Sequence, residues 1–228
     1  MAFNWSFSSL DQYKICPFKY YCTRVSKKYV EPESDAMRWG NKVHTALEYT
    51  LKPPAEPLSD DLKETAKPYV KITDSLKLIP GEMFVELPLA IDRHFQITEF
   101  KADNVWCRGK ADIVIVNDSI GCIFDWKTGG KDETAILNHK ADQLELMCLL
   151  LAVMYPNIEI FKTGYIWLKH GRMTKFTFNK NELNWQRFLI DVMAMERSFA
   201  NGYWPKKRNG LCRKHCPVLE CQYNGRRG

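Results

Sequence analysis

Two aspartates and a lysine stand in a stretch that is otherwise almost wholly apolar. Asp112 lies in Gly109-Lys110-Ala111-Asp112-Ile113-Val114-Ile115-Val116, and Asp125 and Lys127 lie in Ile120-Gly121-Cys122-Ile123-Phe124-Asp125-Trp126-Lys127. Runs that are apolar at successive positions read as strands buried on both faces. Asn117-Asp118-Ser119 between them is a turn cluster. Positions 112 and 125 are symmetric about a turn centred between Asp118 and Ser119. An antiparallel hairpin closed there sets the aspartates opposite each other, with Cβ atoms about 4.5–5.5 Å apart, and alternation returns Lys127 to the face of Asp125. Two carboxylates that close repel each other unless a cation sits between them, and Mg²⁺ or Mn²⁺ with oxygen ligands meets that need. With an ammonium alongside, the chemistry is metal-assisted hydrolysis at a phosphate. A buried Asp–Lys ion pair is the plainer alternative, but it leaves one carboxylate uncompensated, which burial penalises.

Periodicity indicates the elements that must hold these groups. Strands are expected near Met83–Ile91, Phe95–Phe100, Val105–Val116 and Ile120–Trp126, then a long helix from about Glu133 to Met154. Strands at Ile160–Leu168 and Lys175–Phe178 and a helix from Asn181 to about Asn201 follow. Upstream, Trp39, Val43, Ala46, Leu47 and Leu51 give a helix its apolar face, while His44 and Glu48 share another face one turn apart. Pro53 to Pro57 ends that helix in a loop, and Asp60 to Lys77 reads as helical. A meander of strands, a crossing helix and a further strand make an α/β fold with a mixed sheet and helices on its faces.

Asp112 followed by Asp125-Trp126-Lys127 resembles the PD-(D/E)XK nuclease motif. The surrounding sequence is similar to that superfamily's RecB-like branch, which includes the CRISPR-associated adaptation nucleases and the AddB nuclease domain. Phe7 to Tyr13 with Cys16-Pro17-Phe18-Lys19-Tyr20-Tyr21 resembles the branch's opening helix, Gly40 to Glu48 its G-x-x-x-H helix, and Ala141 to Met147 its Q-x-x-x-Y helix. The resemblance implies a restriction-endonuclease-like core in which Asp112, Asp125 and His44 hold the metal with the backbone carbonyl of Trp126. It also implies that Lys127 positions the attacking water and that Gln143 helps hold the water or the scissile phosphate. Bound as a ligand, His44 must be neutral; an exposed His44–Glu48 pair is its alternative reading. Glu86 resembles an acidic position that some members carry near the site, and reads equally as a strand glutamate facing solvent. Ala111 replaces the proline of the motif's name, and Met147 stands where the tyrosine would be.

Cys212, Cys216 and Cys221 fall within ten residues beside Pro217, which is ligand spacing. No segment reads as a signal peptide, and no apolar run approaches the ~20 residues that span a bilayer. The expected setting is therefore intracellular and reducing, where clustered thiols bind metal rather than form disulfides. Several RecB-like nucleases resemble this arrangement, with one N-terminal and three C-terminal cysteines holding a [4Fe–4S] cluster. That implies Cys16 as the fourth ligand, with Cys22 in reserve. The middle cysteine is displaced by one from the usual spacing, which leaves Zn²⁺ open, with His215 as a further ligand. Cys107, Cys122 and Cys148 read as core residues. One domain over residues 1–228 is expected, its basic cysteine-rich tail, residues 203–228, packing on the N-terminal helix through the metal cluster.

The net charge of +6 is concentrated at the end of the chain, in Lys206-Lys207-Arg208, Arg213-Lys214 and Arg226-Arg227. Such clusters attract phosphate backbones or are simply solvated. Tyr20, Tyr21, Tyr203 and Trp204 could stack on bases or pack inside. The expectation is a metal-dependent DNA nuclease, an exonuclease on single-stranded or frayed ends in recombination, repair or replication. The competing reading is a non-catalytic nucleic-acid-binding or adaptor module of a recombination or replication complex. No G-x-x-x-x-G-K-[ST] loop is present, so a helicase motor would come from a partner.

Overall fold

A computed structural model describes residues 3–52, 57–129 and 141–226. In chain order these form helices α1 (Phe7–Ile15), α2 (Pro17–Tyr20), α3 (Asp35–Leu51), α4 (Asp60–Ala66) and α5 (Val70–Lys77). Strands β1 (Glu82–Ile91), β2 (Cys107–Asn117) and β3 (Ile120–Lys127) follow, then helix α6 (Ala141–Met154), strands β4 (Ile160–Trp167) and β5 (Arg172–Asn179), and helix α7 (Gln186–Asn201). The chain divides into two units, residues 33–184 and residues 1–32 with 185–228.

In the first unit the described strands form one sheet in the order β1-β2-β3-β4-β5. Only β3 and β4 run parallel, since a parallel neighbour needs a crossover and the connection carrying α6 supplies it. Asp118 closes the β2–β3 hairpin at φ 49°, a left-handed position that aspartate tolerates. Leu144 to Leu151 are all buried and, Glu145 apart, all apolar, as a helix enclosed on every side requires. Gly121 faces Leu151 and Ile158, while the alternate residues Cys122, Phe124 and Trp126 pack with Val43 and Leu47 of α3 and Leu76 of α5. Thus α6 covers one face of the sheet and α3 with α5 the other. Burying each large aliphatic side chain there is worth about 1.5–3 kcal/mol. Ser34 Oγ accepts from Met37 N and starts α3.

In the second unit, Ser6 and Ser9 form a capping box on α1. Cys16 caps α2 ahead of Pro17, and Gly202 ends α7 at φ 64°. Trp204 lies among Tyr20, Tyr21 and Phe199, stacked on Tyr21 at 5.2 Å. Tyr20, Tyr21 and Trp204 therefore pack on one another, while Tyr203 is exposed.

Several boundaries differ from expectation. Phe95–Phe100 is not a strand: Asp92 Oδ1 accepts from the amides of His94 and Gln96, which curls the chain into a loop touching β1 only through an Ile91–Ile97 bridge. The last helix begins at Gln186 rather than Asn181, because Asn179 and Glu182 cap a separate 3₁₀ turn. Strand β5 is longer than Lys175–Phe178. Trp39 is not core; only the later turns of α3 bury their apolar stripe. Residues 133–140 of the long helix, most of the Pro53–Pro57 loop, and Arg227 lie outside the described residues.

Candidate active site

The site is built on one row across three strands. Val85 pairs with Ile113 and Leu87 with Ala111, which puts Glu86 level with Asp112 at a step where no pair forms. The β2–β3 ladder ends at Ile113↔Phe124, and its next step sets Asp112 level with Asp125, the register the hairpin symmetry predicts. Glu86 adopts φ 57°, a left-handed conformation that costs a non-glycine residue about 1–2 kcal/mol. Gly109 and Ile113 have the same parity, yet Gly109 faces Met147 and Leu150 of α6 while Ile113 packs in the opposite core. The strand pair thus rotates its side-chain phase at the Glu86–Asp112 step.

That irregularity gathers charge. One ligand atom each of His44, Glu86 and Asp112 lie within 4.8 Å of one another, with His44 Nδ1 3.6 Å from Asp112 Oδ2. Trp126 N donates to the same Oδ2 at 2.8 Å, which fixes the carboxylate, and Lys110 pairs with Glu86. Asp125 stands next in the row, outside that group of three at this spacing. Gln143, in the first turn of α6, bridges the remaining pair: its Nε2 donates to Asp125 Oδ1 at 2.8 Å and its Oε1 accepts from Lys127 Nζ at 3.2 Å. Lys127 Nζ also forms an ion pair with Asp125 Oδ2 at 2.6 Å, and that buried oxygen has no other partner among the described residues. The ammonium sits 4.8 Å over the ring of Tyr165, which β4 places level with Asp125.

The electrostatics match the crowding. Burial pushes the Asp125 carboxyl up to about 6, Lys127 opposing and Asp112 reinforcing the rise. Burial works against a charged His44, but the hydrogen bond and charge of Asp112, with Asp125 and Glu86 behind, outweigh it and its pKa rises. Burial also raises the Tyr165 phenol, with Asp125 and Asp142 adding to it.

A second centre lies within the other unit. Cys16, Cys212, Cys216 and Cys221 line one small cavity with Phe18, Lys19, Lys207, Asn209, Leu211 and Val218, while Cys22 packs beside Cys216 and Cys221. His215 is exposed and does not line it. Among the described residues no three of these sulfurs lie within 4.8 Å of one another. Burial, with Glu220 adding, lifts the Cys22 thiol to about 11. The tail is tied to α1: Lys207 Nζ donates to Lys14 O at 2.9 Å and Asn209 Nδ2 to Ile15 O at 3.0 Å. Asn224 Nδ2 donates to the carbonyls of Cys216 and Val218 and holds the cysteine loop. Cys107, Cys122 and Cys148 are buried in the core. Lys206, Lys207, Arg208, Arg213 and Lys214 are all exposed.

The sequence reading missed Tyr165 and ranked Glu86 below the other acids. Neither carries a local signal: Tyr165 enters through a parallel register set across a crossover, and Glu86 through a backbone irregularity. Met147, in the place of the tyrosine, turns inward and is buried; a Cβ added to Gly109 would lie 2.3 Å from its Cε.

A sequence model described as the PD-(D/E)XK nuclease superfamily matches residues 4–221. The fold resembles that of SSO0001, at TM-score 0.50 and 15% identity over 98% of this chain and 88% of the other. It also resembles a protein from Eubacterium rectale named as a "putative exonuclease", at TM-score 0.53 and 15% identity over 92% and 85%. No curated protein matches the chain.

Proposed function

Because the chain belongs to the PD-(D/E)XK nuclease superfamily, we propose that it is a metal-dependent DNA nuclease, an exonuclease acting on single-stranded or frayed ends in recombination, repair or replication. The observation that carries this is the row Glu86–Asp112–Asp125, flanked by His44 and Lys127. A binding module has no use for three carboxylates gathered where a polyanion would lie. The named E. rectale neighbour is consistent with an exonuclease.

The residues fit a hard divalent ion. His44, Glu86 and Asp112 offer converging ligand atoms, and Asp125 Oδ2 is a buried carboxylate oxygen whose one described partner is the Lys127 ammonium. We assign these four, with the backbone carbonyl of Trp126, to Mg²⁺ or Mn²⁺. The ion would supply Lewis acidity, acidifying water and neutralising charge that builds on the phosphate. Lys127, held between Asp125, Gln143 and the Tyr165 ring, keeps its ammonium aimed at the site to orient the nucleophile. Gln143 keeps Asp125 and Lys127 in register. His44 must lose its proton to serve as a ligand, so metal binding competes with protonation and weakens as pH falls.

The cysteine centre supports a [4Fe–4S] cluster on Cys16, Cys212, Cys216 and Cys221. Four thiols share one cavity, and their sulfurs are spread wider than the about 3.8 Å that tetrahedral bonds to a single Zn²⁺ would require. Lys206, Lys207, Arg208, Arg213 and Lys214 would hold the DNA backbone, and a helicase partner would supply unwound ends. No described helix is long and apolar enough to cross a membrane.

The test is cleavage of 5′- and 3′-labelled single- and double-stranded DNA with Mg²⁺, Mn²⁺ or EDTA, by native protein, Lys127→Ala and Asp112→Ala. Metal-dependent activity that falls at least about 100-fold in both folded variants is expected, and the label reveals polarity. No cleavage by folded, metal-supplied protein would sink the reading. For the cluster, anaerobically purified protein should contain iron and absorb visible light, and Cys216→Ser should lose both. Zinc without iron would reverse that assignment.

A further inference from the structure

The first two turns of α3 do no core work. Val43 is the first buried residue of the helix, and Asp35 to Trp39 are all exposed. Two large apolar side chains stand there in water: Met37 is 55% exposed and Trp39 48%. The polar groups around them are satisfied locally. Arg38 pairs with Asp35 and donates to Glu33 O, Asn41 donates to Glu33, and Lys42 pairs with Asp61 at 2.6 Å. Trp39 therefore offers an exposed aromatic face, with the nearest cations already neutralised.

This end of α3 runs beside the site. A Cβ added to Gly40, which follows Trp39, would sit 3.1 Å from Thr128 Oγ1, next to Lys127. His44 follows one turn further, so Trp39 is about 7.5 Å from it along the helix axis.

Resting on the nuclease reading, we propose that Trp39 is a stacking platform for unpaired nucleobases entering the site. A π-face accepts any base and requires that base to be unstacked from its duplex neighbour, so the platform selects single strands by structure rather than by sequence. Because it touches no phosphate, its contribution is independent of salt.

The test measures binding of a labelled single-stranded oligonucleotide and a blunt duplex over a range of salt. Native protein is compared with Trp39→Ala and Trp39→Phe, with EDTA to prevent cleavage, and single-strand cleavage is followed separately with Mg²⁺. Trp39→Ala should weaken single-strand binding roughly 5- to 150-fold, leave duplex binding and the salt slope unchanged, and be largely rescued by Trp39→Phe. Unchanged single-strand affinity, equal loss on duplex, or a reduced salt slope in a folded Trp39→Ala protein overturns the platform while native cleavage stands. Native protein that neither binds nor cuts DNA overturns the nuclease reading itself, and the platform with it.

Discussion

Asp125 is the residue where the cost of the site is concentrated. Burial pushes its carboxyl up to about 6 in the folded protein, from about 4 in an unfolded chain. An acid with a raised folded pKa keeps its proton longer in the native state. Native stability is therefore highest at the low end of that window and falls as pH rises through it, by on the order of 2–3 kcal/mol. His44, raised as well, acts in the same direction: its contribution is present below its unfolded pKa and lost as pH climbs through the folded one. In EDTA, thermal melting of the native protein should therefore drop between about pH 4 and 6 as Asp125 ionises, and again above about pH 6.5 as His44 loses its proton. Asp125→Asn should flatten the drop below about pH 6 and melt higher than native protein at pH 8, and a parallel decline in both across that lower window would refute the account. Packing gives a second residue-scale expectation. Gly109→Ala should cost about 1–3 kcal/mol by urea unfolding, because Met147 fills the space a Cβ needs, and Met147→Ala in the same chain should recover part of it. Asp112, Asp125 and Lys127 were legible in the sequence because a hairpin is local and its symmetry counts out from the turn. Tyr165 was not, since nothing local sets the register of a parallel pair.

At the level of elements, the distortion between β1 and β2 matters most. A regular ladder would have carried Glu86 and Asp112 through with their side chains in strict alternation. Instead the Glu86 backbone is left-handed, and the phase of β2 changes between Gly109 and Ile113. Glycine adopts such a φ freely. Glu86→Gly should therefore be about 1 kcal/mol more stable than Glu86→Ala by chemical denaturation, although both lack the carboxylate; equal stabilities would show that the conformation carries no strain. Periodicity recovered β1 to β4 because buried strands write apolar runs. It failed at Phe95–Phe100, where aromatic and β-branched residues mimic a strand but Asp92 turns the chain by accepting two amides. It placed Trp39 in the core because the stripe of α3 continues in sequence beyond the part that packs.

Over the whole molecule, charge is divided between the two units. Residues 1–32 and 185–228 contain 14 Lys and Arg against 5 Asp and Glu, whereas residues 33–184 contain 19 against 22. The unit with the carboxylate row is thus suited to a cation and the cysteine unit to a polyanion. Replacing Arg208, Arg213 and Lys214 together with Gln should lower the salt slope of single-strand binding by up to about 2 without changing Mn²⁺ affinity, measured by calorimetry. An unchanged slope would place the backbone contacts elsewhere. The uneven charge was visible in the sequence; its assignment to one unit was not, because that unit is drawn from both ends of the chain.

That discontinuity also imposes an order in time. Cys16 and Cys22 are made before the whole of residues 33–184, and Cys212, Cys216 and Cys221 after it. At roughly 5–20 residues per second, those 152 residues keep the two early thiols waiting for about 8–30 s. The sheet can fold on the ribosome in that interval, whereas the cysteine cavity closes only once residues 212–221 have emerged as well.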